Sequence, residues 1–205
     1  MIAIIDYGRG NLFSLVSALK FLSINFKVID NGKDLNASFK KIILPGVGAF
    51  KDAIEQLRSK NFIKKLKIAN QNNVPILGIC LGMQLFATKS FEFEETIGFN
   101  FIPGEVRKLK LASQYNIPNM GWRKLIHYQS DSKNKEYFEK KMTYFVHSYG
   151  FFPENKKHII SYIKLGYNNI PAIVKKQNVI GFQFHPEKSG KDGLDMLNWF
   201  SNTFF

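Results

Sequence analysis

The sequence contains one cysteine, Cys80, inside the run Val74-Pro75-Ile76-Leu77-Gly78-Ile79-Cys80-Leu81-Gly82-Met83-Gln84. A lone cysteine is ordinarily a small buried hydrophobe, so its neighbours decide what it does. Here an apolar strand pattern leads into Gly78-x-Cys80-x-Gly82, and a helical pattern begins directly afterwards. Glycines on both sides of a central residue suit a sharp strand-to-helix turn, where side chains would collide. Such a turn pushes the sulfur out at the carboxyl end of a sheet. It also sets the sulfur at the start of a helix, where amide dipoles favour the thiolate form. The amide of Leu81 then becomes an oxyanion donor.

A sulfur nucleophile needs a base, and the base needs a group to orient it. His185-Pro186-Glu187 supplies both after the apolar stretch 179–184. A proline between them predicts an extended segment with His185 and Glu187 on one side. Glu187 can hold the imidazole tautomer while His185 protonates a leaving group. His127 and His158 read as ordinary satisfied residues. A third segment, Leu44-Pro45-Gly46-Val47-Gly48-Ala49-Phe50, closes a strand with two glycines before the next helix. So little side chain lets its amides approach a substrate carbonyl, although by itself it is equally an ordinary strand-to-helix turn.

The elements that must position these residues follow from hydrophobic periodicity. Strands are predicted at 2–6, 26–29, 41–44 and 74–79. Helices are predicted at 12–22, at 51–70 as one long element, and at 81–88. Alternating strands and helices, with strands apolar along their whole length, argue for a parallel sheet covered on both faces. The second half reads as strands and hairpins at 101–111, 120–127, 143–147, 159–165, 172–175 and 179–184, closed by a helix at 192–200. The expectation is an α/β fold with a mixed, mostly parallel central sheet, helices on both faces and an antiparallel extension. No repeat or linker divides the chain, so residues 1–205 are expected to form one domain.

Composition narrows the function classes. Of 205 residues, 45% are hydrophobic and 22% charged, as in ordinary globular chains. No apolar run approaches the ~20 residues of a spanning helix, and Met1-Ile2-Ala3-Ile4-Ile5-Asp6 lacks the features of a signal peptide. A cytoplasmic protein without membrane association is expected. One cysteine excludes an internal disulfide framework and any multi-cysteine metal site; no metal and no cofactor are expected. The net charge of +13 invites a nucleic-acid reading. The lysines are scattered, however, and no nucleic-acid motif accompanies them, so a lysine-rich solvated surface is expected instead.

Gly78-Ile79-Cys80-Leu81-Gly82-Met83-Gln84 together with His185-Pro186-Glu187 resembles the class I (triad) glutamine amidotransferases. Within them, the chain is similar to the glutaminase subunits of imidazole glycerol phosphate synthases. The blocks Ile5-Asp6-Tyr7-Gly8-Arg9-Gly10-Asn11-Leu12, Leu44 to Phe50, Met120-Gly121-Trp122, Tyr144-Phe145-Val146-His147-Ser148-Tyr149 and Phe184-His185-Pro186-Glu187-Lys188-Ser189-Gly190 carry this likeness from end to end. The resemblance implies a flavodoxin-like amidotransferase fold. It implies glutamine hydrolysis to glutamate and ammonia, with the ammonia channelled to a (β/α)₈-barrel cyclase subunit in a heterodimer of histidine biosynthesis. It makes Cys80 the nucleophile, His185 the acid and base, and Glu187 the orienting group. Leu81, Val47 and Gly48 would supply oxyanion amides, the strand segment only after a flip driven by the partner. Gly46, Gly48, Gln84, Glu92, His147, Ser148 and Tyr149 would hold glutamine. Asn11, Met120, Gly121, Trp122, Tyr144 and Lys188 would face the synthase.

The chain departs from the usual family pattern at Asn119 and Arg123, in Pro118-Asn119-Met120-Gly121-Trp122-Arg123, and at Arg9, Phe13 and Gly150. None of these is a triad residue. Several fall on the expected docking face, which keeps open an alternative: a paralogous glutaminase feeding ammonia to a different acceptor, such as a sugar or glycan.

Overall fold

Residues 1–111, 114–128 and 135–204 are described in the computed structural model of the chain. The first half alternates β1 (Ile2–Ile5), α1 (Leu12–Phe21), β2 (Phe26–Ile29), β3 (Lys41–Leu44), α2 (Phe50–Ser59), α3 (Phe62–Gln71), β4 (Ile76–Ile79) and α4 (Leu81–Gln84). Short strands β5 (Lys89–Ser90) and β6 (Thr96–Ile97) follow, then β7 (Gly104–Lys108), β8 (Asn119–Lys124), β9 (Ile126–His127) and α5 (Lys135–Phe138). The chain finishes with β10 (Met142–His147), β11 (Tyr149–Pro153), β12 (Ile159–Leu165), β13 (Asn168–Lys176), β14 (Val179–Phe182) and α6 (Gly190–Asn202).

Among the described residues the largest sheet has eight strands in the order β2-β1-β3-β4-β14-β13-β12-β9. Its first five are parallel, with the flavodoxin-like crossover that doubly wound folds use. The remaining three run antiparallel, which is the extension expected from the sequence. A four-stranded sheet, β11-β7-β5-β6, and a two-stranded ribbon, β10-β8, complete the molecule.

The central strands bury both faces because their residues alternate between two cores. Ala3, Ile5, Ile42 and Leu44 meet Ala53, Leu57, Phe62 and Leu66 of α2 and α3 on one face. Ile2, Ile4, Ile43, Leu77 and Ile79 meet Leu15 and Leu19 of α1 and Leu197 and Phe200 of α6 on the other. Every residue of β1 and β4 is therefore buried, which explains their unbroken apolar sequence.

Three sequence expectations are corrected. The single helix at 51–70 is two helices, because Asn61 is left-handed (φ 63°, ψ 20°). The freed carbonyl of Lys60 accepts from the Gly32 amide at 2.7 Å. The helix at 81–88 stops at Gln84, since the carbonyls of Leu85, Phe86 and Ala87 accept from the amides of Phe99, Ile102 and Asn100. A helix of one turn carries little of the dipole expected behind Cys80. Finally, Pro186–Lys188 forms a 3-10 turn rather than an extended segment, with proline preset at its first position. Strand β11 was not anticipated, because Tyr149-Gly150-Phe151-Phe152-Pro153 lacks clear alternation.

Phe62 is fully buried between α3 and the sheet. Phe62→Ala should lower unfolding free energy by about 3–5 kcal/mol, read as a lower urea midpoint with an unchanged slope.

Candidate active site

The parallel strands bring the predicted chemistry to one edge. Cys80 follows β4, His185 follows β14 after a two-residue gap, and the glycine-bearing segment 45–49 follows β3. Ligand crevices of such sheets lie outside these carboxyl ends.

Cys80 sits at φ 54° and ψ −110°, a left-handed conformation costing a side-chain-bearing residue about 1–3 kcal/mol. The turn is held by close backbone approach. A β-carbon on Gly82 would stand 1.8 Å from the Leu44 carbonyl oxygen, so only glycine lets the turn pack on the end of β3. The Cys80 amide donates to the Phe182 carbonyl at 2.7 Å, tying the turn to β14 as well. Strain held this firmly on a cysteine is the mark of a functional position.

His185 Nδ1 lies 2.8 Å from Glu187 Oε1, both side chains being only 3% exposed. The 3-10 turn delivers this pairing: the Ser189 hydroxyl donates to the His185 carbonyl at 2.6 Å, and the Tyr144 amide donates to that hydroxyl at 3.0 Å. His185 Nε2 is buried and has no hydrogen-bond partner at full geometry. Cys80 and Glu187 are the groups that act on the ring. Burial disfavours the imidazolium, but bonding and charge at Cys80 and Glu187 outweigh burial and push the pKa up from 6.5 to about 10. A protonated imidazole beside sulfur is the state that can protonate a departing amine.

Cys80, Leu81 and His185 line one wall of a cavity of about 460 Å³. Its other walls hold Val47, Gly48, Gln84, Glu92, His147, Ser148 and Tyr149, so every predicted glutamine-binding residue but one faces it. The exception is Gly46, which is buried and does not line the cavity.

A polar network shapes the far side. Gln84 Nε2 donates to the Tyr149 carbonyl and to Gln183 Oε1, each at 3.0 Å. Gln183 Nε2 in turn points at Cys80 Sγ, 3.8 Å away. His147 Nδ1 donates to the same Tyr149 carbonyl at 2.8 Å, which leaves Nε2 to accept from Asn119 Nδ2 at 2.9 Å. Burial is the main cause that pulls His147 down from 6.5 to about 4, so its ring is neutral. Glu92 Oε2 accepts from the Phe50 amide at 2.7 Å, capping α2 from a distant loop. Burial pushes this carboxyl upward, against the bond from Phe50, which favours its charged form. Ion pairs Lys51–Glu94 (2.6 Å) and Lys89–Glu95 (2.9 Å) flank that loop.

Two of the three expected oxyanion donors, Leu81 and Val47, are occupied. The Leu81 amide donates to the Gly46 carbonyl at 3.3 Å, and the Val47 amide donates to the Arg9 carbonyl at 3.0 Å. In this conformation neither is free to meet a substrate oxygen. The segment's geometry explains why: with Val47 turned toward Arg9, the Gly46 carbonyl fills the space in front of Leu81.

The residues expected to face a synthase lie close to this site. Met120, Gly121 and Trp122 on β8 pair with Val146, Phe145 and Tyr144 on β10. Trp122 meets Tyr144 edge-on at 6.1 Å. Met120 is 57% and Trp122 47% exposed, too much for core residues. Asn11 caps α1 and Lys188 is exposed. The sequence reading did not anticipate Tyr7, Phe93, Pro118 or Gln183 at the site. Only Tyr7, inside the first strand's block, carried a usable signal. Among the described residues no group of three or more His, Cys, Asp or Glu could hold a metal ion, and no helix is long and apolar enough to cross a membrane.

The Glutamine amidotransferase class-I family matches residues 3–202. The chain belongs to the class I glutamine amidotransferases. It is 40% identical over 197 residues to Imidazole glycerol phosphate synthase subunit HisH of Carboxydothermus hydrogenoformans, covering 96% of each chain. It is 41% identical over 205 residues to the subunit of the same name from Caldanaerobacter subterraneus subsp. tengcongensis, covering 98% of this chain and 97% of the relative. These relatives carry the name of the first expectation, not of the sugar-directed alternative. Among solved structures, a glutamine amidotransferase crystal structure superposes with a TM-score of 0.76 at 16% identity, covering 98% of this chain and 97% of that one. PurLQS from Thermotoga maritima gives 0.72 at 19% identity, covering 96% and 95%. At such identities these two establish the amidotransferase fold alone.

The two perturbed histidines of the site act in opposite pH windows. His147, lowered to about 4, binds a proton in the unfolded chain before it does so in the folded one. Its contribution is complete above about pH 6.5 and is lost as pH falls through 4, amounting to about 3 kcal/mol. His185, raised to about 10, contributes fully below about pH 6.5 and loses that contribution as pH rises toward 10. Urea midpoints should therefore drop between pH 6.5 and 4, and the drop should be shallower in His147→Gln. An equal drop in both proteins would remove His147 from the acid limb.

Proposed function

We propose that this amidotransferase is the glutaminase subunit of an imidazole glycerol phosphate synthase, releasing ammonia from glutamine for a cyclase subunit in histidine biosynthesis. The observation that carries the reading is the strained cysteine at the carboxyl edge of the sheet, facing a histidine that a buried carboxylate holds 2.8 Å away. The cavity beside it suits one amino acid in size. Glu92 offers a carboxylate for the α-ammonium group. The buried walls at Gln84, His147 and Tyr149 offer fixed polar contacts for the rest.

In the proposed reaction the Cys80 thiolate attacks the side-chain amide carbon of glutamine, forming a tetrahedral adduct. His185, as imidazolium, gives its proton to the nitrogen, and ammonia leaves as the carbon–nitrogen bond breaks. The resulting glutamyl thioester is hydrolysed by a water molecule whose proton returns through His185. Glu187 keeps the imidazole oriented with Nε2 toward sulfur. The oxyanion needs amide donors, yet Leu81 is spoken for by Gly46 and Val47 by Arg9. The free subunit is therefore nearly silent. Docking of the synthase turns the segment 46–48, releasing the Leu81 amide and offering Val47 or Gly48 alongside it.

The docking face consists of the exposed Met120 and Trp122 with Gly121 and Tyr144 on the β8–β10 ribbon, together with Asn11 and Lys188. This ribbon ends at His147, so a partner seated on it touches an element that lines the glutamine cavity. The partner is a (β/α)₈-barrel cyclase forming a heterodimer in the cytoplasm.

Glutamate release by the purified chain should be slow alone and rise at least a hundredfold, in order of magnitude, with a cyclase subunit and its substrate, as expected when one oxyanion donor is gained. Cys80→Ala should abolish glutamine-dependent product, while the same complex still uses added ammonium salts. Normal glutamine-dependent turnover by Cys80→Ala would sink the assignment. Turnover that ignores the cyclase would remove the partner.

A further inference from the structure

Tyr7 follows β1 and is 1% exposed, and its hydroxyl is buried with no hydrogen-bond partner. A buried hydroxyl left unpaired is costly, and such groups in folded proteins call for a reason. Its position supplies one. A β-carbon on Gly46 would lie 2.4 Å from the Tyr7 hydroxyl oxygen, so the hydroxyl stands where the Gly46 side chain would be. Gly46 is the residue whose carbonyl occupies the Leu81 amide at 3.3 Å, a long bond for a peptide pair. When that carbonyl leaves Leu81 it must find another donor, because Gly46 is itself buried. Measured from the same β-carbon position, the Tyr7 hydroxyl at 2.4 Å is a nearer donor than the Gly82 amide at 3.0 Å.

We propose that Tyr7 is a positioning residue of the glutaminase reaction: its hydroxyl receives the Gly46 carbonyl when the segment 46–48 turns, and so stabilises the conformation with an open oxyanion hole. The inference rests on the glutaminase reading above. Burial and the charge of Cys80 both push the phenol's pKa upward, so the group stays protonated and remains a donor throughout. Tyr7 touches no reacting atom. It acts through the peptide that frees Leu81, and the same unpaired hydroxyl makes the resting conformation less stable than a phenylalanine would. One group thus lowers the step to the active state from both ends.

Tyr7→Phe removes the hydroxyl and nothing else. With the cyclase subunit and its substrate present, kcat for glutamate release should fall on the order of tenfold while KM for glutamine stays within about twofold, because the contact forms only on the way to the transition state. The thermal midpoint of the free subunit should be no lower than that of the unsubstituted protein, since no resting hydrogen bond is lost. Cys80→Ala serves as the blank. An unchanged kcat, or a raised KM at constant kcat, overturns the role of Tyr7 and leaves the glutaminase reading intact. A midpoint that drops along with the rate makes Tyr7 structural and also overturns it. Turnover of the unsubstituted complex no greater than the Cys80→Ala blank overturns both readings together.

Discussion

The turn after β4 packs against the end of β3 closely enough that Gly82 leaves no room for a side chain beside the Leu44 carbonyl, and the Leu81 amide reaches the Gly46 carbonyl across the same contact. Everything else about the site depends on this approach. It holds Cys80 in a left-handed conformation that nothing local would favour. It also makes the Leu81 amide a shared resource, bonded either to a neighbouring peptide or, in the proposed reaction, to a substrate oxygen. The strain is offset by a sheet whose strands are buried on both faces, so the turn cannot relax without disturbing two cores.

The surroundings of the sulfur divide into two electrostatic environments that share one cavity. On one side, His185 is buried with Glu187 and keeps a proton well above the usual histidine range. On the other, His147 is buried without any carboxylate at hand and stays neutral. Burial acts the same way on both rings, disfavouring charge; Cys80 and Glu187 outweigh it at His185, whereas the charges of His185 and Arg123 add to it at His147. The neutral ring has a fixed tautomer, because a carbonyl can only accept and Asn119 donates at the other nitrogen. Two rings of one residue type thus differ in charge, one holding a proton beside the sulfur and the other forming a neutral wall.

Asn119 and Arg123, which depart from the usual family pattern, lie on the ribbon that joins the exposed aromatic face to the glutamine cavity. Asn119 is buried and completes the His147 network. Arg123 folds back on its own strand, donating to the Trp122 carbonyl at 2.9 Å. Both departures make local hydrogen bonds, and neither touches the His185–Glu187 pair.

Much of this was legible in the residue order. The strand-glycine-cysteine-glycine pattern announced the turn, the unbroken apolar strands announced a sheet covered on both faces, and His185 with Glu187 announced the buried histidine–carboxylate pair. These signals are local: a turn needs small residues where it bends, and a twice-covered strand needs apolar residues at every position. What the sequence could not reveal depends on contacts between segments far apart in the chain. Asn61 breaks the long helix where the Gly32 amide takes the Lys60 carbonyl, and amides at 99–102 end the helix after Cys80. The same holds at the site, where the Gly46 carbonyl blocks Leu81, Arg9 holds Val47, and the Tyr7 hydroxyl is left without a partner. The sequence by itself determined which side chains could do the chemistry. Only the tertiary structure decided that the Leu81 and Val47 amides beside them are occupied, because a peptide's choice of partner depends on which other peptide the fold brings within about 3 Å of it.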